Sequence, residues 1–236
     1  MLPFQSGDGF SGQSERPGLN SHNKAILLCA LFGAGFILAA ILHFLLAGLD
    51  QQTESWIFAE AAFVSHSLLN KITLMGEAFL LAPISLIFIA WWAGKKEWDK
   101  ASGMALSVFG GGLLTLIFKL VFQSPRPNLV TGQVYTMNFG FPSGHAVMSI
   151  LFWGFLTYTL VRAEPRKRLR QVIVVIAAGI VLAVGMTRLM LGVHYPVDIL
   201  GGWMLGAMWL VLSILIVNIL TAQRPEIATF YRVLKS

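Results

Sequence analysis

Three stretches of this 236-residue chain carry side chains that could do chemistry together: Lys119 to Pro127 (KLVFQSPRP), Phe141 to His145 (FPSGH) and Thr187 to Asp198 (TRLMLGVHYPVD). They hold three cations, two histidines and a carboxylate. Cations gathered near hydrocarbon are costly, roughly 2.5 to 3.5 kcal/mol for one Lys or Arg at mid-span, unless an anion sits between them. A tetrahedral phosphate fits that place. Arg126 and Arg188 offer planar forks to pairs of phosphate oxygens, and Lys119 offers a mobile point charge. Pro142, Ser143 and Gly144 read as a helix start whose backbone N–H groups point at the anion, with a glycine that permits close approach.

Two histidines go beyond phosphate binding. In an in-line displacement one group attacks phosphorus and another protonates the leaving oxygen. His194 suits the first role, because Asp198, four residues on, can accept a hydrogen bond from one ring nitrogen and leave the other free to attack. His145, on a different segment, is left as the general acid, and afterwards as the base that activates water. The scheme needs no metal and no cofactor.

These segments must be positioned by membrane helices. The chain is 56% hydrophobic and only 12% charged, against about 25% charged in an ordinary soluble domain. Its net charge of +6 therefore reads as a topology signal and not as a nucleic-acid footprint. The run Ala25 to Leu49 would span about 37 Å as a helix, enough to cross a hydrocarbon core of about 30 Å and too long for a signal-peptide core. Further spans are expected at about Ile72 to Ala93, Ala101 to Phe122, Pro142 to Leu160, Gln171 to Leu191 and Val197 to Thr221. The expected fold is all-α, with six transmembrane helices in a domain over residues 25–221, a mobile cytoplasmic tail over 1–24 and a C-terminal cytoplasmic tail over 222–236. Ile57, Ala61, Val64 and Leu68, beside Glu54, Glu60 and Ser65, suggest a short interfacial helix between the first two spans.

Cation placement gives the orientation. Lys95, Lys96 and Lys100, Arg162, Arg166, Lys167, Arg168 and Arg170, and Arg16, Lys24, Arg224, Arg232 and Lys235 all fall on one side of a six-span arrangement. Both termini are therefore expected in the cytoplasm. Of the remaining four, Lys71 is interfacial, and Lys119, Arg126 and Arg188 are the phosphate-seeking set on the outer face.

The three motifs, Lys-x6-Arg-Pro, Pro-Ser-Gly-His and Arg-x5-His-x3-Asp, occur in the order that marks the type 2 phosphatidic acid phosphatase superfamily, and the chain resembles that family over about residues 50–221. Thr187 stands where the family pattern has Ser and keeps the hydroxyl. The resemblance implies a six-helix membrane fold and metal-independent hydrolysis of a phosphomonoester or pyrophosphate through a phosphohistidine. It also implies phosphate binding by Lys119, Arg126, Arg188, Ser143 and Gly144, with His145 as acid, His194 as nucleophile and Asp198 as its partner. In size and span count the chain looks similar to bacterial phosphatidylglycerophosphate and undecaprenyl pyrophosphate phosphatases, which implies a lipid phosphate substrate in the bacterial inner membrane and an active site facing the exterior.

Other readings stand beside these. Lipid A phosphatases share the motifs, a lipid-to-lipid phosphotransferase would use the same intermediate, and a non-catalytic headgroup-binding or transport protein would use the cations alone. The last leaves both histidines and Asp198 without a purpose. Glu77, about one turn inside the second span, is a candidate substrate gate or a partner for an active-site cation, since an unpaired intramembrane carboxylate is costly. His43 and His66 read as interfacial. Gly110, Gly111, Gly112, Gly201 and Gly202 read as helix-packing positions. The single cysteine, Cys29, excludes an intrachain disulfide.

Overall fold

Backbone amides in hydrocarbon must be satisfied within the segment that carries them, and the apolar runs accordingly form helices. The structure is a computed structural model that describes residues 19–127 and 139–222. Helices α1 (Leu19–Leu45) and α2 (Ala47–Glu60) are followed by a 3₁₀ turn at Ala61–Phe63, α3 (His66–Thr73), a second 3₁₀ turn at Leu74–Gly76, and α4 (Ala78–Gly94). Helix α5 (Trp98–Ala105) runs through a π-helical turn at Leu106–Gly110 into α6 (Gly111–Phe122), and α7 (Gly144–Ala163), α8 (Lys167–Met190) and α9 (Pro196–Ala222) follow. The described residues contain no strand. The N-terminal tail up to residue 18 and the segment from 223 onward, with Arg16, Arg224, Arg232 and Lys235, lie outside the described residues.

Five segments are long and apolar enough to cross a membrane: His22–Leu45, Trp98–Phe122, Gly144–Ala163, Lys167–Met190 and Pro196–Thr221. The pair His66–Gly76 and Ala78–Gly94, bent by 41° at a short break, is long and apolar enough together to be a sixth when counted as one span. Several boundaries differ from those read in the sequence; α8, for example, starts at Lys167 and not Gln171, and α1 ends at Leu45 and not Leu49. Helix α1 starts at Leu19, upstream of Ala25. The second span is broken at Glu77, whose extended backbone (φ −74°, ψ 121°) ends the 3₁₀ turn and caps α4. Helix α7 opens at Gly144 with Ser143 as its N-cap, two residues later than the Pro142 start expected.

The interfacial helix also differs. The stretch is divided between α2 and α3, the latter being the first part of the bent span, and its buried face is not the one the periodicity suggested: Glu54 is 1% exposed and Leu68 is 52% exposed. The reason is that α2 packs against α8 and α9, where Asp50 Oδ1 accepts a hydrogen bond from the Val197 N–H at 3.1 Å. A buried backbone donor at a helix start must find an acceptor, and that requirement outweighs the modest apolar periodicity.

Helix α9 packs along both α1 and α7, and α7 also meets α8. The core between them includes Phe36, Val147, Leu151, Phe155 and Leu205. Phe141, fully buried, lies 5.7 Å from the Phe36 ring and 5.0 Å from the Phe122 ring. Burial of such a side chain contributes about 1.5 to 3 kcal/mol, and here it anchors the turn that leads into α7. Gly202 lets α9 approach that turn: a Cβ there would lie 2.7 Å from the Ser143 carbonyl oxygen and 2.8 Å from the Ala146 Cβ. Gly112, by contrast, has nothing within 4 Å of a built Cβ, so close packing is not its role.

The C-termini of α1, α6 and α8 and the N-termini of α4, α7 and α9 share one end of the bundle. Lys95, Lys96, Lys100 and the cations from Arg162 to Arg170 lie at the other. Gly202→Val should destabilise the fold by about 1 to 3 kcal/mol through overpacking, seen as a lower unfolding temperature in detergent. Gly112→Ala should leave that temperature unchanged or raise it.

Candidate active site

Helix α6 brings Lys119 to the shared end and stops at Gln123, whose left-handed backbone (φ 46°) turns the chain outward. Lys119 Nζ donates a hydrogen bond to the Phe139 carbonyl, and the Gly140 N–H donates to the Ser124 carbonyl at 2.7 Å. The residues that flank the first and second motifs are thus tied together.

At the start of α7, the Ser143 N–H donates to the Asp198 carbonyl at 3.0 Å. That amide is therefore committed to α9 and does not face an anion, contrary to the expectation for this residue's backbone. The Ser143 Oγ is buried and has no hydrogen-bond partner among the described residues, which makes the hydroxyl the atom of Ser143 that could take a phosphate oxygen. Gly144 lies against the lysine: a Cβ there would sit 3.8 Å from Lys119 Cε. Helix α8 delivers Arg188, buried, from its last turn, and Arg188 Nη1 donates to Thr73 Oγ1 of α3 at 3.1 Å. The neighbouring Thr187 hydroxyl donates to the Val184 carbonyl at 2.8 Å, within its own helix.

Gly192, in the left-handed region at φ 63°, turns the chain after α8 and presents His194. This side chain is fully buried. Its Nδ1 lies 3.2 Å from Asp198 Oδ2, which also accepts the Tyr195 N–H at 3.0 Å. Its Nε2 has no hydrogen-bond partner among the described residues. Burial holds the His194 imidazole well below its usual pKa, and the charges of Arg126, Arg188 and Lys119 act in the same direction. A neutral ring with Nδ1–H held by Asp198 carries its lone pair on Nε2, within reach of three positive charges. That arrangement can attack an electrophilic phosphorus held by those cations.

The structure therefore brings Lys119, Ser143, Gly144, His145, Arg188, His194 and Asp198 to one end of the bundle, with the half-buried Arg126 close enough for its charge to act on His194. Glu77, read from the sequence as a gate or as a partner for an active-site cation, has Oε2 2.8 Å from His145 Nε2.

Two contributions were not read from the sequence. His43, near the end of α1, places Nδ1 3.5 Å from Asp198 Oδ1 and Nε2 2.7 Å from Ser124 Oγ, with its ring 5.0 Å from Phe141. It is a site residue and not an interfacial one. The signal was available, since a titratable side chain inside an apolar run is by default functional. Asp50 and Glu54 of α2 line the loop that carries His194. A Cβ on Gly192 would lie 3.2 Å from Glu54 Oε1. Burial raises the Asp50 carboxyl to about 6 against the pull of the Val197 N–H. Burial, opposed by the Ser55 hydroxyl and reinforced by the Asp50 charge, raises Glu54 to about 7. No signal in the sequence distinguished these carboxyls from a solvated helix face.

The family model described as PAP2 superfamily matches residues 100–222. Phosphatidylglycerophosphatase B of Bacillus subtilis (strain 168) is 32% identical over 184 residues, covering 75% of this chain and 88% of that protein. The crystal structure of a transmembrane PAP2-type phosphatidylglycerolphosphate phosphatase from Bacillus subtilis superposes with a TM-score of 0.66 at 27% identity, covering 86% of this chain and 98% of that one. Aquifex aeolicus LpxE superposes with a TM-score of 0.52 at 21% identity over 70% of this chain and 94% of its own, a likeness of fold alone.

The raised Glu54 carboxyl gives a pH dependence with a definite sign. Between its ordinary value of 4.5 and about 7, the unfolded chain has released this proton while the folded chain keeps it. The folded state then binds more protons, so its stability falls as the pH rises through that window. Glu54→Gln removes this contribution, and the unfolding temperature of the variant minus that of the wild type should grow from pH 4.5 to above 7. A constant difference would show that the carboxyl is already ionised in the folded protein.

Proposed function

The chain belongs to the PAP2 superfamily and is a membrane phosphatase, and from the geometry of its site we propose that it hydrolyses the phosphate headgroup of a membrane lipid through a phosphohistidine on His194. The observation that carries this reading is the His194 ring: buried, oriented by Asp198 through Nδ1, with Nε2 unpartnered among the described residues beneath the charges of Lys119, Arg126 and Arg188.

Lys119, Arg126 and Arg188 hold the phosphate oxygens with the Ser143 hydroxyl and the N-terminal end of α7 at Gly144. His194 Nε2 attacks phosphorus; the P–N bond forms as the P–O bond to the lipid breaks, and His145 gives its proton to the departing oxygen. Water then attacks the phosphohistidine, His145 takes a proton from that water, and inorganic phosphate leaves with His194 neutral again. The cations compensate the charge that builds on phosphorus, so the proposed sequence of steps calls on no metal.

A lipid substrate is favoured by an apolar groove of about 490 Å³ between α1, α6 and α9, lined by Phe36, Ala40, Phe44, Phe118, Phe122 and Met208 among others. Phe44 adjoins His43, and Phe122 lies two residues before Ser124, so the groove ends beside the paired His43 and Ser124. A hydrocarbon chain laid there stays in apolar surroundings, as in the bilayer, and is held by van der Waals packing. The Bacillus subtilis relative makes phosphatidylglycerophosphate the first substrate to test, with undecaprenyl pyrophosphate, phosphatidic acid and lipid A beside it.

We place the protein in the bacterial inner membrane, both termini in the cytoplasm and the site on the outer face. The cations of the 95–100 and 162–170 segments at the end opposite the site support this orientation. Fluorescent protein fused after Ser236 should therefore be fluorescent in cells, and a dark but full-length fusion would contradict the orientation.

Purified full-length protein should release inorganic phosphate from a lipid phosphate in detergent with a chelator present. His194→Ala should abolish release, and His145→Ala should lower it by about a hundredfold to ten-thousandfold. Brief exposure to labelled substrate should leave acid-labile, alkali-stable label on the wild type and none on His194→Ala. Label delivered to an added lipid instead of water would make the enzyme a phosphotransferase, and binding without turnover across the panel would overturn catalysis.

A further inference from the structure

Glu77 lies outside the residues that match the family model, yet three contacts hold its segment against the catalytic helices. The Arg188 guanidinium donates to Thr73 at 3.1 Å, and the Trp153 indole N–H donates to the Met75 carbonyl at 2.8 Å. Gly76 approaches so closely that a Cβ on it would come within 2.9 Å of the His145 carbonyl oxygen. The next residue is Glu77, at the break in the second span, where its backbone begins α4 and one side-chain oxygen accepts from the Phe79 N–H at 3.5 Å. The other oxygen lies 2.8 Å from His145 Nε2, within ion-pair distance, while that nitrogen makes no hydrogen bond among the described residues. A carboxylate at the end of a long side chain is thus delivered to one ring nitrogen by a rigid and sharply bent piece of backbone.

We infer that Glu77 is a positioning residue for the general acid, holding His145 through Nε2 so that Nδ1 is the ring nitrogen that passes the proton to the lipid oxygen. This rests on the proposed role of His145. The pair repeats, on the leaving-group side of phosphorus, what Asp198 and His194 do on the attacking side: a carboxylate fixes one ring nitrogen and thereby the orientation and tautomer of the other. In the forward step the His145 imidazolium keeps its Nε2 proton toward Glu77 and gives its Nδ1 proton to the oxygen whose bond to phosphorus breaks. In the second step Nδ1 takes the proton from the attacking water. Glu77 neither gains nor loses a proton in either step, and Arg188, whose charge also reaches Glu77, remains available to phosphate.

The consequence is selective for the leaving group. Departure of a lipid alkoxide needs a proton, whereas p-nitrophenolate leaves without one. Full-length wild type, Glu77→Gln and His145→Ala are compared with phosphatidylglycerophosphate and with p-nitrophenyl phosphate through kcat/KM, which reports the steps up to phosphoryl transfer. Glu77→Gln should lower kcat/KM for the lipid by about tenfold to a hundredfold, within the span that a general acid supplies, and for the aryl phosphate by no more than about threefold. The aryl phosphate turnover also shows that the variant is folded. His145→Ala should show the same selectivity with a larger lipid effect. An equal fall of both substrates in Glu77→Gln, with His145→Ala still selective, would reduce Glu77 to a structural part and overturn the proposal. A lower KM with kcat unchanged would make it an anion that substrate displaces, and overturn it equally. Loss of selectivity in His145→Ala itself would remove the general-acid reading, and the proposal with it.

Discussion

The Asp198 residue joins more of this site than any other group. Its Oδ2 meets the His194 ring and the Tyr195 amide, its Oδ1 faces His43 of α1, and its backbone carbonyl receives the Ser143 amide at the head of α7. One residue in the first turn of α9 therefore ties α7 and the α8–α9 loop to a common point beside His43 of α1. Because that point is fully buried, losing one of these hydrogen bonds costs about 1 to 3 kcal/mol. Helix α9 packs along both α1 and α7. Gly202 lets the two backbones close on each other, and Phe141 wedges the turn between α1, α6 and α9.

Three cations around the nucleophile are the second constraint. Lys119, Arg126 and Arg188 reach the site from α6, from the turn after it and from α8, and all three charges act on His194. Such a cluster is tolerable near a membrane when it is braced by local acceptors and completed by an anion. The Phe139 carbonyl and the Thr73 hydroxyl supply bracing for Lys119 and Arg188. In the function proposed, a phosphate completes it, and the same charges stabilise what develops on phosphorus during transfer. Binding and catalysis are in this sense one electrostatic arrangement.

The broken second span explains why a membrane helix carries a bend where a straight one would cross as well. The 3₁₀ turn and the 41° bend place the Glu77 carboxylate beside His145 of α7. The Asp50 and Glu54 carboxyls of α2 show the converse case. They sit under the His194 loop because the Val197 amide needs an acceptor, and burial raises both.

Much of this was legible before any coordinates. Hydrocarbon length and the absence of charge determine membrane helices whatever their neighbours, and the order and spacing of Lys119, Arg126, Ser143, Gly144, His145, Arg188, His194 and Asp198 mark the phosphate site proposed, because such chemistry needs those groups and few others. Periodicity could not show that the Ser143 amide is committed to the Asp198 carbonyl, that Glu54 points inward while Leu68 points out, or that His43 reaches Asp198 across 155 positions of sequence. Those are long-range pairings. Local pattern records which face of a helix is apolar, but which polar atoms meet depends on how the helices cross, and the tertiary structure alone decides that.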